Sequence, residues 1–212
     1  MKKQNFLALL LLLMMSTAAT QAETIQAELV ANDSILVFVQ DGSAGKLVGY
    51  KENSAEKYIG NTGSKKSMRN VNLVIGFRLP EIKGTVGGVT FNIDKTGNSS
   101  TPFKWTAQLY VFAPNVNPRA IGRSDYGAIH YAGAKEDSNA DVRVLDMKFI
   151  TQKTKKGPVS IDLTKGFAKG GPLADFYGAD GKPLSRDGMI WFRLNQGSEP
   201  AAELQRIIVD NS

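Results

Sequence analysis

The sequence predicts an all-β protein, a two-sheet antiparallel β-sandwich of jelly-roll type. Apolar residues alternate with period two in short runs from residue 35 to residue 209. Gly, Asn, Asp and Pro separate those runs, and helical spacing is almost missing. Many short strands with no helices between them do not build a doubly wound parallel sheet. They suit two antiparallel sheets packed face to face, each burying one side.

The first 22 residues are expected to stand apart from the fold. Lys2 and Lys3 open the chain, Phe6 to Met15 is unbroken apolar sequence, and small residues lead to Thr20-Gln21-Ala22. That order is the pattern of a secretory signal peptide cleaved after Ala22. The apolar run is well short of the ~20 residues a spanning helix needs, and no later segment approaches that length. Residues 23–212 are read as one exported domain, periplasmic or extracellular, with no membrane span.

The strands follow in order. Ile35 to Val39 is the first. Val71, Leu73, Ile75, Phe77 and Leu79 share one face, opposite Asn72, Val74, Gly76 and Arg78. Val89, Phe91 and Ile93 alternate with Thr90, Asn92 and Asp94. Phe103, Trp105, Ala107, Leu109 and Val111 alternate with Lys104, Thr106, Gln108, Tyr110 and Phe112. Leu145, Met147 and Phe149 oppose Val144, Asp146 and Lys148, and Val159, Ile161 and Leu163 oppose Ser160, Asp162 and Thr164. Ile190, Phe192 and Leu194 oppose Trp191 and Arg193, and Gln205 to Val209 closes the series. Leu163 to Ala168 is the one stretch that suits a helical turn or two, with Thr164 as N-cap and Gly170-Gly171 as the stop. The last strand pairs back with early ones, which leaves no place to divide the chain.

Composition narrows the function. The 212 residues include no Cys and a single His. Disulfides, thiolate metal centres, a cysteine nucleophile and multi-histidine metal sites are thereby excluded. A mature chain of this size can bury an adequate core without disulfides. The net charge of +6 falls when the leader and its two lysines are removed, leaving 24 basic against 20 acidic side chains. Such a balance is that of a soluble domain and not of a nucleic-acid binder. The basic runs Lys65-Lys66-Ser67-Met68-Arg69 and Lys153-Thr154-Lys155-Lys156 sit among turn residues and lack the interleaved aromatics that stack on bases. They read as solvated loop tips.

Two stretches carry a resemblance. One is Asn72-Leu73-Val74-Ile75-Gly76-Phe77-Arg78-Leu79-Pro80 followed by Gly87-Gly88-Val89-Thr90-Phe91. The other runs from Ala107-Gln108-Leu109-Tyr110-Val111-Phe112 through Ser124-Asp125-Tyr126-Gly127, Phe149-Ile150-Thr151 and Val159-Ser160-Ile161-Asp162-Leu163-Thr164. It ends at Met189-Ile190-Trp191-Phe192-Arg193-Leu194. Together they resemble secreted bacterial jelly-roll domains of the DNRLRE and carbohydrate-binding-module kind, as in exported proteins of planctomycete and verrucomicrobial lineages. The resemblance covers about residues 70 to 212, more loosely 25–40. It implies a galactose-binding-like jelly roll that works beside polysaccharide-degrading enzymes, and a structural calcium ion. Asn32-Asp33-Ser34 and Asp41-Gly42-Ser43 present oxygen ligands in turns, which would place the ion near Asp33 and Asp41. The same residues also serve as ordinary Asx-turn formers, and both readings stand. No other cofactor is expected.

Catalysis has little to build on. His130 and Tyr131 could serve a lyase as base, yet no Gly-x-Ser-x-Gly elbow accompanies the single His. Glu136, Asp137, Asp141 and Asp146 carry no spacing that fixes a glycosidase pair. Carbohydrate recognition is the sharper expectation. Sugars offer apolar C–H faces ringed by hydroxyls, and so favour exposed aromatics beside polar groups. If Ile190, Phe192 and Leu194 face the core, Trp191 and Arg193 point away from it, and Tyr110 and Gln108 do likewise. Arg78 and Asn92 add polar groups on their own outward faces. These six are the expected ligand-binding residues, set against the alternative that a loop covers Trp191 and Tyr110. The expected function is a non-catalytic module for extracellular polysaccharide. The alternative is a structural or protein-interaction component of the cell surface, with a lyase or hydrolase third.

Overall fold

The computed structural model describes residues 25, 27–29, 35–41, 46–52, 58–62, 69–84, 87–98, 106–118, 142–196 and 206–210. These contain eleven strands: β1 (Glu28–Leu29), β2 (Ile35–Asp41), β3 (Lys46–Glu52), β4 (Tyr58–Thr62), β5 (Arg69–Arg78), β6 (Thr90–Asn98), β7 (Ala107–Phe112), β8 (Val142–Ile150), β9 (Gly157–Asp162), β10 (Met189–Gln196) and β11 (Arg206–Asp210). Every pairing is antiparallel. The helical segments among the described residues are short 3₁₀ turns, Thr164–Phe167 and Arg186–Gly188 among them, and no helix there is long and apolar enough to cross a membrane.

Hydrogen bonding runs β8-β7-β10-β5-β4-β11-β6-β9. The path turns a corner at β5, whose residues 73–78 pair with β10 while residues 69–71 pair with β4. Two four-stranded walls result, β5-β10-β7-β8 and β4-β11-β6-β9. Taken in chain order from β4 to β11, the walls are visited in the sequence of a jelly roll, two interlocked Greek keys. β2 and β1 pair along the other side of β5, and β3 adds to β2. They widen the first wall.

The main core fills the space between the walls. Leu73 and Ile75 of β5, Ile190, Phe192 and Leu194 of β10 and Ala107, Leu109 and Val111 of β7 meet Ile59 of β4 and Phe91 and Ile93 of β6. Phe91 and Phe192 stack across the gap at 4.6 Å between centroids, with Phe149 5.7 Å from Phe91. Each such side chain contributes about 1.5–3 kcal/mol by leaving water. The alternation expected for 73–79, 89–94, 107–112, 159–163 and 190–194 therefore places the intended faces inward.

Two local expectations change, and one residue is buried against its type. Met147 packs away from the main core, with Val74, Tyr110 and Trp191. The β7–β8 register shifts around Leu109, and Asp146 Oδ1 accepts a 2.6 Å bond from the Lys148 amide. This irregularity breaks the simple odd–even alternation of β8. Thr164 is not an N-cap. It lies inside the 3₁₀ turn Thr164–Phe167, donates its hydroxyl to Asp162 Oδ1 (2.5 Å) and accepts from the Val89 amide (3.0 Å). The sequence also leaves Lys95 unremarked, although it is in phase with Phe91 and Ile93. It is 1% exposed and donates to the Thr154 carbonyl. Desolvation, aided by the nearby Lys156 charge, lowers its pKa below 10.5.

The long connection 163–188 closes one end of the sandwich. Leu173 and Phe176 insert into the core. Arg143 of β8 clamps the loop with two bonds to Asp175 (2.6 and 2.7 Å) and one to the Pro172 carbonyl (2.7 Å). The Arg143 hydrogen bonds hold the Asp175 carboxyl below its ordinary 3.8. A carboxylate with a depressed folded pKa adds stability above the unfolded value and loses it as pH falls through the folded one. Asp175→Asn is expected to cost about 0.5–1 kcal/mol at pH 7, the range of a half-exposed ion pair. In urea melts the difference from the parent chain should vanish as acid protonates Asp175; an equal difference at every pH would contradict the clamp.

Candidate functional site

The outward face of β5-β10-β7 gathers most of the residues expected to bind a ligand. Strand register sets them in rows. Gly76, Trp191 and Phe112 form one, Val74, Arg193 and Tyr110 the next, and Asn72, Asn195 and Gln108 the third. Tyr110 donates its hydroxyl to Gln108 Oε1 at 2.6 Å, and Asn195 Nδ2 approaches the same oxygen at 3.4 Å. The Arg193 guanidinium lies 4.6 Å above the Tyr110 ring. Gly76 makes room for the Trp191 indole: a Cβ there would stand 2.5 Å from Cζ3 and 2.6 Å from Cε3.

The outward parity is as expected, and the exposure is not. Trp191 is 6% exposed, Tyr110 and Gln108 3%, and Arg193 0%. With Val74, Phe112 and Val142 the two aromatics form a second hydrophobic cluster. Alternation tells which side of a sheet a residue takes, but not whether that side is wet. Here both sides of the wall are dry, so these four residues form a buried polar–aromatic layer, not an open platform.

The remaining two lie elsewhere. Arg78 is exposed at the end of β5, opposite Glu28 and Met189. Asn92 is exposed on the other wall, where its Oδ1 accepts from the Ser160 hydroxyl at 2.7 Å. The six residues thus fall into three places. Asn72 and Asn195 complete the buried layer and were overlooked, although each is two residues from a member of its own strand face. His130, Tyr131, Trp105, Asp33, Glu136, Asp137 and Asp141 lie outside the described residues, as does the side chain of Asp41. Among the described residues, no three His, Asp or Glu side chains gather as a metal site.

The accessible chemistry sits at the loop end. Phe167 and Tyr177 are half-buried, with ring centroids 6.0 Å apart. Lys165, Lys169, Asp180 and Lys182 are exposed in the same loop. Leu184, beside them in sequence, is 59% exposed. The loop is fixed by its backbone. Leu79 donates to the Gly188 carbonyl, Ile82 to that of Gly181, Leu184 to that of Phe176 and Arg186 to that of Pro114, all at 2.8–2.9 Å. Gly181 has φ +78°, and a Cβ there would fall 2.0 Å from the Ile82 oxygen, so the contact needs glycine. The Tyr177 hydroxyl donates to the Pro80 carbonyl at 3.0 Å, and desolvation pushes its pKa up to about 12. The phenol therefore keeps its proton, and this latch holds across the physiological pH range. The Gly-rich composition of 163–188 was the available signal for an ordered rim.

The chain matches no protein-family model and no curated protein.

Filling the space under Trp191 tests the buried layer. Gly76→Ala is expected to destabilise the fold by about 1–3 kcal/mol, as overpacking does. Adding Trp191→Leu should recover part of that loss in a double-mutant cycle. Independent, additive effects would show that the ring does not lie on Gly76.

Proposed function

We propose that this chain is an exported, non-catalytic module that binds extracellular polysaccharide at the loop end of its jelly roll. The observation that carries the reading is the partly exposed Phe167–Tyr177 pair, in a hydrogen-bonded loop that also bears the exposed Lys165, Lys169, Asp180 and Lys182. Ring faces suit the C–H surfaces of a sugar, and the surrounding charged heads suit its hydroxyls. Backbone bonds order the loop before a ligand arrives, which limits the entropy lost on binding. The signal-peptide pattern of residues 1–22 supports export, and the resemblance to carbohydrate-binding modules points to the same ligand class.

The protein-interaction alternative would use free strand edges. Two of these carry features that oppose strand addition. Pro158 on β9 has no amide hydrogen to offer, and on β8 the Lys148 amide is taken by Asp146.

Affinity electrophoresis against a panel of soluble polysaccharides tests the proposal. Retardation by at least one of them is expected. Phe167→Ala should weaken that interaction about tenfold or more, the scale of one aromatic contact, with melting curves confirming a folded variant. Tyr177→Phe keeps the ring and should still bind. Unchanged affinity in Phe167→Ala and Tyr177→Ala would remove the rim as the site.

A further inference from the structure

The end of the sandwich opposite the rim has a different electrostatic character. β9 runs between the two ends, six residues or about 20 Å. At the rim, basic side chains meet acids: Arg143 with Asp175 at 2.6 Å, Lys182 with Asp180 and Arg186 with Asp187 at 3.8 Å. At the β8–β9 turn the balance is lost. Lys153, Lys155 and Lys156 are exposed and form no ion pair among the described residues. Asp94, next to Lys95 on β6, forms none with them either.

The turn is also built to hold its shape. The Thr151 amide donates to Thr154 Oγ1 at 2.9 Å, the Lys153 amide to Thr151 Oγ1 at 3.2 Å, and the Thr154 amide to the Thr151 carbonyl at 3.1 Å. From inside, the buried Lys95 ammonium binds the Thr154 carbonyl. Burial, and after it the Lys156 charge, lowers the Lys95 pKa. Exposed like charges held on an ordered turn lose part of their repulsion when an anion binds.

We infer that the β8–β9 turn is a docking point for an acidic polysaccharide, one whose repeating units carry carboxylate or sulfate groups. The inference rests on the polysaccharide reading above and narrows its ligand class. The charged heads suit spaced anionic groups. The described turn offers neither an aromatic to stack on nucleobases nor a large apolar residue to enter a bilayer.

The test uses the whole chain against polygalacturonate, dextran sulfate, neutral dextran and duplex DNA. Polygalacturonate, dextran sulfate or both should bind, with affinity falling steeply between 50 and 200 mM salt, on the order of tenfold or more. The triple variant K153Q/K155Q/K156Q, whose exposed positions should leave the melting temperature unchanged, should lose tenfold or more. Phe167→Ala should retain the salt-dependent component. Which of the two anionic polymers binds better separates carboxylate from sulfate recognition. Equal binding to DNA, or no effect of the triple variant, overturns the inference. Binding to dextran alone also overturns it while leaving the rim proposal intact, whereas failure to bind any polysaccharide across this set and the wider panel removes both.

Discussion

The strands β5, β10 and β7 are buried on both faces over residues 72–76, 107–112 and 190–195, and that constraint governs much of the molecule. A strand sends alternate side chains to opposite sides, so this wall needs two sets of packing partners. Inward it supplies Leu73, Ile75, Leu109, Phe192 and Leu194 to the main core. Outward it supplies Trp191, Tyr110, Phe112 and Val74, together with the polar Asn72, Gln108, Arg193 and Asn195. The polar members have a consequence for register. A slip of one residue would drive Arg193 and Asn195 into the space between the walls and turn Phe192 and Leu194 out. Charged and amide groups in an apolar core cost several kcal/mol each, so only one alignment of β10 is tolerable. The Tyr110 ring against the Arg193 guanidinium favours that alignment too, since cation–π attraction strengthens where water is excluded.

With the outer face of β5-β10-β7 covered, the exposed side chains lie on the outer face of β6-β9 and at the ends of the sandwich. The two ends are built differently. At the rim, apolar anchors and backbone bonds fix a long Gly-rich loop, and acids neutralise most of its basic groups. At the β8–β9 turn a short segment is shaped by threonine hydroxyls and carries Lys153, Lys155 and Lys156, which form no ion pair among the described residues. Aromatic contact suits the first setting and charge attraction the second. A polymer long enough to meet both would gain from the short, stiff connection between them.

Much of the architecture was legible because alternation is a local property. Phe91, Leu109 and Phe192 read as inward residues and are 4%, 0% and 4% exposed. Even the jelly-roll order follows once antiparallel neighbours are fixed. What escaped the sequence was set by contacts distant along the chain. The bulge that turns Met147 outward depends on how β8 meets β7. The burial of Trp191 and Arg193 depends on the surroundings of the wall, which period two does not encode. One local sign was present: Gly76, inside a strand of apolar residues, marks a place where another group approaches closely. That group is the Trp191 ring. Lys95 escaped for a simpler reason, being a charged residue in an apolar phase.

The edges of the two walls complete the argument about partners. A sandwich, unlike a closed barrel, ends in strands with free backbone groups, and such edges recruit other strands unless something prevents it. On β9 the obstruction is covalent, since Pro158 lacks the donor, and Gly157 before it adopts φ +117°, outside the extended range a continuing ladder needs. On β8 it is a side chain, as Asp146 occupies the Lys148 amide beside a disturbed register. Both obstructions act on the backbone and leave the ends of the sandwich untouched. Strand addition is thereby opposed at β8 and at β9, while the lysines at both ends of the sandwich stay exposed.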